Sequence, residues 1–293
     1  MSALPLTGIK IIDLTRVLAG PLSAQMLGDL GADVIKIERP GQGDDTRKWG
    51  PPFVKDTAGN DTSESAYYLA VNRNKRSITL DVAQPEGQAI AKLLIARCDV
   101  FAENFKVGDM ARYNLAYEQI KYDFPRLIYC SITGFGQSGP YASRAGYDFL
   151  AQGMGGVMSV TGDPSTPPQK VGVAVTDIIC GIYSVVGILA ALQHRHLTGR
   201  GQLVDLALLD TQVSWLVPVL GLALVAAVVA YVAGIAGARL LGAKVASFVG
   251  LTEVLFAVLF AWLFLGELPT SMQLVGGVLI ISGVAVIRLD DGA

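Results

Sequence analysis

Apolar residues in the first 215 positions form short runs that alternate with longer segments of mixed apolar and polar residues. The short runs, rich in Val, Ile and Leu, predict strands, and the longer segments predict helices. Because the two alternate, the pattern predicts an α/β fold with a doubly wound, mainly parallel, Rossmann-like sheet. Strands are expected at 8–14, 33–39, 77–82, 100–104, 126–132 and 202–209, and helices at 21–30, 86–96, 117–122 and 177–198.

The last quarter of the chain has a different pattern. Three apolar runs, 217–238, 245–265 and 269–287, contain a single charged residue among them, Glu253. Each run is long enough to cross the apolar layer of a bilayer, about 30 Å thick, as a helix. The pattern therefore predicts two domains, 1–215 and 216–293, the second made of three transmembrane-type α-helices. Fully buried helices of a soluble protein are the alternative.

Composition narrows the candidate functions. With 16% charged residues and a formal net charge of −2, the chain gives no reason to expect nucleic acid as a partner. The only histidines are His194 and His196, which argues against a Ser-His-Asp triad or a histidine-rich metal site, so no metal is expected. Cys98, Cys130 and Cys180 are expected to be buried, reduced thiols.

The expected location differs between the two domains. The N-terminal residues contain no basic segment followed by an apolar run of signal-peptide length, which predicts that residues 1–215 are cytoplasmic. The apolar runs between 217 and 287 are long enough for the chain to associate with a membrane as well. Arg239, Lys244 and Arg288 favour an orientation that places residues 1–215 outside, because basic loops tend to stay in the cytoplasm.

Asp177 is the residue at which chemistry is expected. It lies between the strand-like run Val171–Val175 and an uncharged helical segment, Ile178–Leu192. A carboxylate at a helix start can accept hydrogen bonds from unpaired backbone N–H groups and is favoured by the helix dipole. Both effects predict that Asp177 is ionised at neutral pH, and an ionised carboxylate can act as a nucleophile. The alternative is an ordinary N-cap.

A ligand site is expected where loops leave the carboxyl ends of the predicted parallel strands. These loops are 15–21, 39–44, 103–112 and 134–141. Basic residues in or near them could bind a phosphorylated ligand, although a solvated basic surface is equally compatible. They are Arg39, Arg73, Lys75, Arg76 and Arg112. The sequence contains no G-x-G-x-x-G motif and no P-loop, so the usual cradle of a dinucleotide or a nucleoside triphosphate is missing.

Several sequence blocks, in this order and spacing, closely resemble the class III CoA-transferases (CaiB/BaiF family). Together with Asp177 they extend over about three quarters of the chain. The blocks are DLTRVLAGP at 13–21, ADVIKIERP at 32–40, NKRSITLD at 74–81, ENF at 103–105, GFGQSGP at 134–140, GYD at 146–148 and TGRGQ at 198–202.

The resemblance implies that Asp177 is the nucleophile of a CoA transfer between an acyl-CoA and a carboxylic acid. The carboxylate attacks the thioester, and the transfer proceeds through covalent aspartyl intermediates. Coenzyme A is then a substrate, and no permanently bound cofactor is implied. The resemblance also implies a homodimer. Its CoA-binding positions are Arg39, Leu80, Asn104, Phe105 and Arg112 around the nucleotide, Arg16, Val17 and Ala19 near the pantetheine and thioester, and Tyr147 with Asp148 in the GYD block.

A 2-methylacyl-CoA racemase is the alternative within the same family. That branch pairs a histidine with the aspartate, whereas this chain has Tyr147 at the corresponding position. A phenol with a pKa near 10 is a poor base at neutral pH, which favours transfer over racemisation.

The tail carries a second resemblance. Residues 246–257, 262–267 and 273–277 are similar to the last three helices of EamA-type drug/metabolite transporters, in which Glu253 would be the functional carboxylate. This suggests a chimeric chain joined near Trp215–Pro218, in which the second half of the transferase fold is replaced. Such a chain is expected to show at most hydrolysis, or no turnover. A membrane transporter component and an inactive CoA-binding module are the competing functions.

Overall fold

The computed structural model describes residues 3–163 and 165–217, together with 221, 232, 262–263, 270 and 276–278. The chain divides into two compact units, Met1–Val217 and Pro218–Ala293. All elements described below belong to the first unit. The three transmembrane-type helices predicted between 217 and 287 lie almost entirely outside the described residues, and so does Glu253. The predicted domain boundary at 215/216 stays a prediction.

A six-stranded sheet, parallel throughout, forms the centre of the first unit. Its spatial order is β5-β2-β1-β6-β7-β8, so the strand order reverses between β1 and β6. This is the doubly wound arrangement that the alternating pattern predicted, and the prediction is confirmed. The strands are β1 (Lys10–Asp13), β2 (Asp33–Glu38), β5 (Lys75–Thr79), β6 (Val100–Glu103), β7 (Ile128–Thr133) and β8 (Leu203–Ala207).

Helices cover both faces of the sheet. They are α1 (Ala19–Asp29), α2 (Ala66–Ala70), α3 (Pro85–Ile95), α4 (Asp109–Arg112), α5 (Tyr117–Ile120), α6 (Asp148–Met154) and α7 (Val175–Thr198). Neighbouring residues of one strand serve opposite faces: Ile11 packs in one apolar cluster with α1 and α7, and Ile12 packs in a second cluster with α3 and α5. Because an apolar cluster covers each face of the sheet, side chains on both sides of a strand are apolar, and the strands appear in the sequence as nearly continuous apolar runs.

The sequence pattern missed a small hairpin. Strands β3 (Phe53–Lys55) and β4 (Asp61–Ser65) pair in antiparallel fashion beside a short 3-10 helix, Asp45–Lys48. They are short and mostly exposed, so they lack the apolar alternation by which a strand is recognised. The strand expected at 77–82 was misplaced for a related reason. It begins at Lys75, which the apolar pattern did not include because the residue is charged, although its side chain is buried.

Helix α7 is the only described helix that is long and apolar enough to cross a membrane. It is, however, a core helix, since it packs against α1, β7 and β8. Cys130 and Cys180 are buried free thiols in this core, as expected, whereas Cys98 is only partly buried.

The contact between α1 and α7 depends on Gly181. A Cβ atom at this position would lie 2.7 Å from the backbone oxygen of Ala19. Alanine usually stabilises a helix interior over glycine by about 1 kcal/mol. Here we expect Gly181→Ala to lower the free energy of unfolding by about 2 kcal/mol, because the added methyl group forces the two helices apart. Urea unfolding of the full chain, followed by circular dichroism, measures the change.

Gly172→Ala is the control for this substitution, because a Cβ atom at Gly172 has no neighbour within 4 Å. We expect its free energy of unfolding to stay within about 0.5 kcal/mol of the wild type. Equal losses in the two variants, or a gain in Gly181→Ala, would show that the close approach of the helices is not what requires glycine.

Candidate active site

Asp177 lies in the first turn of α7, as its third residue. The helix begins at Val175, two residues earlier than expected, and its N-cap residue, Ala174, has no side chain that can cap it. Asp148, from the start of α6, does so instead: its Oδ1 accepts hydrogen bonds from the backbone N–H of Thr176 at 2.8 Å and of Asp177 at 3.2 Å. The expectations that Asp177 accepts these bonds or acts as the N-cap were therefore wrong.

The prediction that the helix start keeps Asp177 ionised at neutral pH was also wrong. Burial raises the pKa of its carboxyl from 3.8 to about 7, and the negative charge of Asp148 adds to the effect. Within the described part of the chain, no hydrogen-bond donor offsets the burial of this carboxylate. The helix N–H groups that could have done so are directed at Asp148. The Asp177 carboxyl therefore titrates near neutral pH.

Buried amide side chains hold the start of α7 in place. Gln152 donates from Nε2 to Asp148 Oδ2 at 2.6 Å, and its Oε1 accepts the N–H of Val171 at 2.8 Å. Gln212 accepts the hydroxyl of Thr176 at 2.8 Å. Gln152, Gln212 and Thr176 are each fully buried. Sequence reasoning missed both glutamines, because a glutamine in an apolar segment carries no motif of its own.

A cavity opens at the carboxyl edge of the sheet, where the strand order reverses. Loops after β1, β2, β5 and β6 line it, and they contribute four of the predicted CoA-binding residues: Arg16, Arg39, Leu80 and Phe105. The guanidinium of Arg16 lies over the ring of Phe105, 5.0 Å from its centroid, and 3.5 Å from the carboxylate of Asp45. The lining of the cavity therefore combines apolar surface with both basic and acidic side chains.

The loop between β1 and α1 runs from this cavity to α7. Thr15 and Arg16 line the cavity, while the backbone oxygen of Ala19 packs against Gly181, one turn beyond Asp177. Asn104 fixes the loop from β6: its Oδ1 accepts the N–H of Arg16 at 2.9 Å, and its Nδ2 donates to the oxygen of Arg16 at 2.7 Å. The loop thus connects the cavity to the helix that carries the candidate nucleophile.

Two further predicted residues lie at the edge of the site. Arg112 is 68% exposed, pairs with Asp109 at 2.6 Å and lies over the ring of Tyr113, which lines the cavity. Tyr147 is 69% exposed beside the capping Asp148. The structure does not place either side chain among the lining residues of the cavity. Their predicted binding roles stay predictions.

The other basic residues considered for a phosphorylated ligand have carboxylate partners. Arg73 pairs with Asp29 and Arg76 with Asp33, both at the surface. Lys75 is almost fully buried and donates to Asp13 at 2.9 Å. None of the three lines the cavity. For Arg73 and Arg76 the alternative of a basic surface is therefore the better description.

Tyr67 is a site residue that sequence reasoning missed. Burial raises the pKa of its phenol, and the charges of Asp177, Asp148 and Asp44 raise it further. Tyr67 therefore lies within electrostatic range of the candidate nucleophile and of Asp44, which lines the cavity. Its ring packs edge-on against Trp49, with centroids 5.2 Å apart. No motif marks it: it lies in α2, a short helix that the sequence pattern did not predict.

The fold and the site define a doubly wound α/β domain with a partly buried carboxylate in the first turn of a core helix and a cavity at the point where strand order reverses. Comparison with known proteins assigns the class. Residues 6–244 match CoA-transferase family III, and the chain belongs to this family. The match extends beyond the junction proposed near Trp215–Pro218. The similarity to EamA-type transporters stays a prediction.

Two curated relatives show the extent of the similarity. The chain is 58% identical over 208 residues to a succinate–glutarate CoA-transferase of Agrobacterium fabrum, covering 71% of this chain and 52% of the relative. It is 51% identical over 215 residues to a succinyl-CoA:glutarate CoA-transferase of Mus musculus, covering 73% of this chain and 48% of the relative. The chain thus spans about half the length of these relatives.

A solved structure shows the same fold. A CAIB/BAIF family protein from Brucella suis is 53% identical, with a TM-score of 0.70, covering 73% of this chain and 56% of the other.

The raised pKa of Asp177 predicts a pH-dependent stability. The folded chain holds a proton on this carboxyl up to about pH 7, whereas an unperturbed aspartate loses it near 3.8. The contribution of this carboxyl to the free energy of unfolding is therefore largest below pH 4, and it is lost as the pH rises to about 7. Asp177→Asn removes the titration. We expect the variant to match the wild type at pH 4 and to exceed its free energy of unfolding by roughly 4 kcal/mol at pH 8, since each pH unit between 3.8 and about 7 corresponds to about 1.4 kcal/mol.

Urea unfolding at several pH values measures this difference. Asp123→Asn is the control, because it makes the same substitution at an exposed aspartate. A gain for Asp177→Asn that is the same at pH 4 and pH 8 would contradict the assigned cause.

Proposed function

We propose that this protein transfers coenzyme A between an acyl-CoA and a carboxylic acid, through covalent intermediates on Asp177. One observation carries the proposal: a partly buried carboxylate in the first turn of α7 is joined, through the loop at 15–19, to a cavity lined by four of the residues that the family resemblance predicts for CoA binding. Family membership supports it independently. Because the chain spans about half of its relatives, the activity is a proposal for this chain.

In the first half-reaction, an oxygen of the Asp177 carboxylate attacks the thioester carbonyl carbon. The C–S bond breaks, CoA leaves as a thiolate with the electron pair, and an acyl-aspartyl anhydride remains. The thiolate then attacks the aspartyl carbonyl carbon. The anhydride C–O bond breaks, the first carboxylic acid leaves as its carboxylate, and CoA is held as a thioester on Asp177.

In the second half-reaction, the acceptor carboxylate attacks the aspartyl thioester and releases the CoA thiolate. A new mixed anhydride forms between the acceptor and Asp177. The thiolate attacks the acceptor carbonyl, which yields the new acyl-CoA and returns the free carboxylate of Asp177. Neither half-reaction requires a net proton, a metal or a redox cofactor. Both require that water stays away from the anhydrides.

The environment of Asp177 suits this role. A carboxylate whose pKa is raised to about 7 is more basic, and hence more nucleophilic, than an ordinary aspartate, yet a large share of it is ionised at neutral pH. Asp148 occupies the first N–H groups of α7, so they do not stabilise the ionised nucleophile. Burial also limits the access of water to an acyl-aspartyl group.

The cavity supplies groups for each part of CoA. Arg16 and Arg39 provide positive charge for the phosphates, and Leu80 and Phe105 provide apolar surface for the adenine. Asn104 orders the backbone of Arg16, beside Val17 and Ala19, where the pantetheine would pass. Arg112 is proposed to contact the phosphates from the edge of the cavity.

The relatives suggest the substrate class. The names of both curated relatives contain succinate or succinyl-CoA and glutarate. We propose short dicarboxylates as the acids exchanged here, with succinyl-CoA as donor. The homodimer and the cytoplasmic location of residues 1–215 are proposed from the family resemblance. Tyr147, exposed and a poor base, gives no support to the racemase alternative.

The transporter-like tail, membrane association through 217–287 and a chimeric origin depend on the sequence pattern alone. They stay predictions about residues that lie mainly outside the described part of the chain.

Covalent trapping tests the proposed chemistry directly. After incubation of the full chain with succinyl-CoA and then hydroxylamine, we expect a hydroxamate at Asp177, detected by peptide mass spectrometry. Trapping reports the first half-reaction even when complete turnover is slow. We expect Asp177→Ala to abolish the adduct, and Asp163→Ala, an exposed aspartate in a loop, to keep it. An unmodified Asp177 in wild-type protein that binds CoA would refute the covalent mechanism.

A further inference from the structure

Val17 has an unusual backbone conformation. Its φ angle is +71°, in the left-handed region, where a β-branched residue is rare and costs conformational energy. Such a residue persists only when its surroundings hold it. Val17 lies in the loop that connects the cavity to α7, next to Arg16, which lines the cavity.

Asp44 holds Val17 from the neighbouring loop. Its Oδ1 accepts the N–H of Val17 at 3.3 Å, and also the N–H and the hydroxyl of Thr46 at 3.0 and 2.8 Å. The backbone of Asp44 is itself fixed, because its N–H donates to Glu38 Oε2 at 2.8 Å. The acceptor for Val17 is therefore held in one position.

Lys36 completes the arrangement from inside the sheet. Its Nζ lies 3.0 Å from Asp44 Oδ2, and it donates to the backbone oxygen of Thr15 at 2.8 Å. The side chains of Lys36 and Asp44 are 1% and 0% exposed. One buried ion pair thus fixes both ends of the segment 15–17, the oxygen of Thr15 and the N–H of Val17, while Asn104 fixes Arg16 between them.

We propose that Asp44 and Lys36 are positioning residues for acyl-CoA: as a buried ion pair they hold residues 15–17 in the strained conformation that shapes the cavity wall leading to Asp177. The proposal rests on the proposed CoA-transferase function. A buried ion pair is often no more stabilising than apolar residues of similar volume, so general stability does not account for its presence in the interior. Holding a strained loop in one geometry does account for it.

The peptide bond after Arg16 offers a direct probe of the loop, because trypsin cleaves there only when the loop opens. We expect Asp44→Ala to accelerate cleavage after Arg16 by about tenfold, since a hydrogen bond to a charged group is lost. We expect it to raise the dissociation constant of CoA, measured by calorimetry on the full chain, by a similar factor. Asp44→Asn keeps an oxygen acceptor for Val17, and we expect it to restore part of both effects.

Asp99→Asn is the matched control for general destabilisation. Asp99 pairs with the buried Arg195 at 2.9 Å and directly precedes β6, at the amino end of the strand, away from the loop. We expect this variant to lose unfolding free energy while its CoA affinity and its cleavage after Arg16 stay unchanged.

Each outcome bears on the proposal. Faster cleavage with unchanged CoA affinity would overturn it, and so would weaker CoA binding without faster cleavage. Equal losses of CoA affinity in Asp44→Ala and Asp99→Asn would show that Asp44 acts only through the stability of the fold. That result would also overturn the proposal. If the wild type binds no CoA, the proposed function fails and this inference fails with it. The wild-type titration distinguishes that case from a failure of Asp44 alone.

Discussion

The candidate active site depends on two carboxylates meeting at one helix terminus. Asp148 takes the backbone N–H groups at the start of α7, and Asp177 is left partly buried beside it, without a compensating donor within the described residues. A helix terminus can stabilise one negative charge well. Because Asp148 takes that role, the second carboxylate keeps a raised pKa and the nucleophilicity that goes with it. The helix terminus therefore affects the reactivity of Asp177 indirectly, because it binds Asp148 and leaves Asp177 without these donors.

The rest of the unit brings a second loop to this terminus. The reversal of strand order between β1 and β6 separates the loops that follow them and leaves a cavity there. The loop after β1 crosses from this cavity to α7, where Gly181 permits close contact. Its strained residue, Val17, is held by Asp44 and Lys36. Local strain at one position and a buried ion pair at another thus act on the same short segment.

The sequence was sufficient to predict the sheet, but not the electrostatics around Asp177. Strands and helices with apolar periodicity were placed within a few residues, whereas the exposed hairpin at 53–65 had no such signal. The ionisation of Asp177 was misjudged, because Asp148 is distant along the chain and its capping role appears only in three dimensions. Tyr67 and Gln152 were missed for the same reason. These features depend on contacts between residues that are distant in the sequence, so a local sequence pattern could not predict them.

The central claim is that burial and Asp148 keep the pKa of Asp177 high. Carbon-13 NMR titration of the aspartate carboxyl groups, with Asp177→Asn for assignment, measures this pKa directly. We expect a value of about 7 in the wild type and a lower value in Asp148→Asn, which keeps the capping oxygen but loses the charge. A wild-type value near 4, or one that Asp148→Asn leaves unchanged, would contradict the claim.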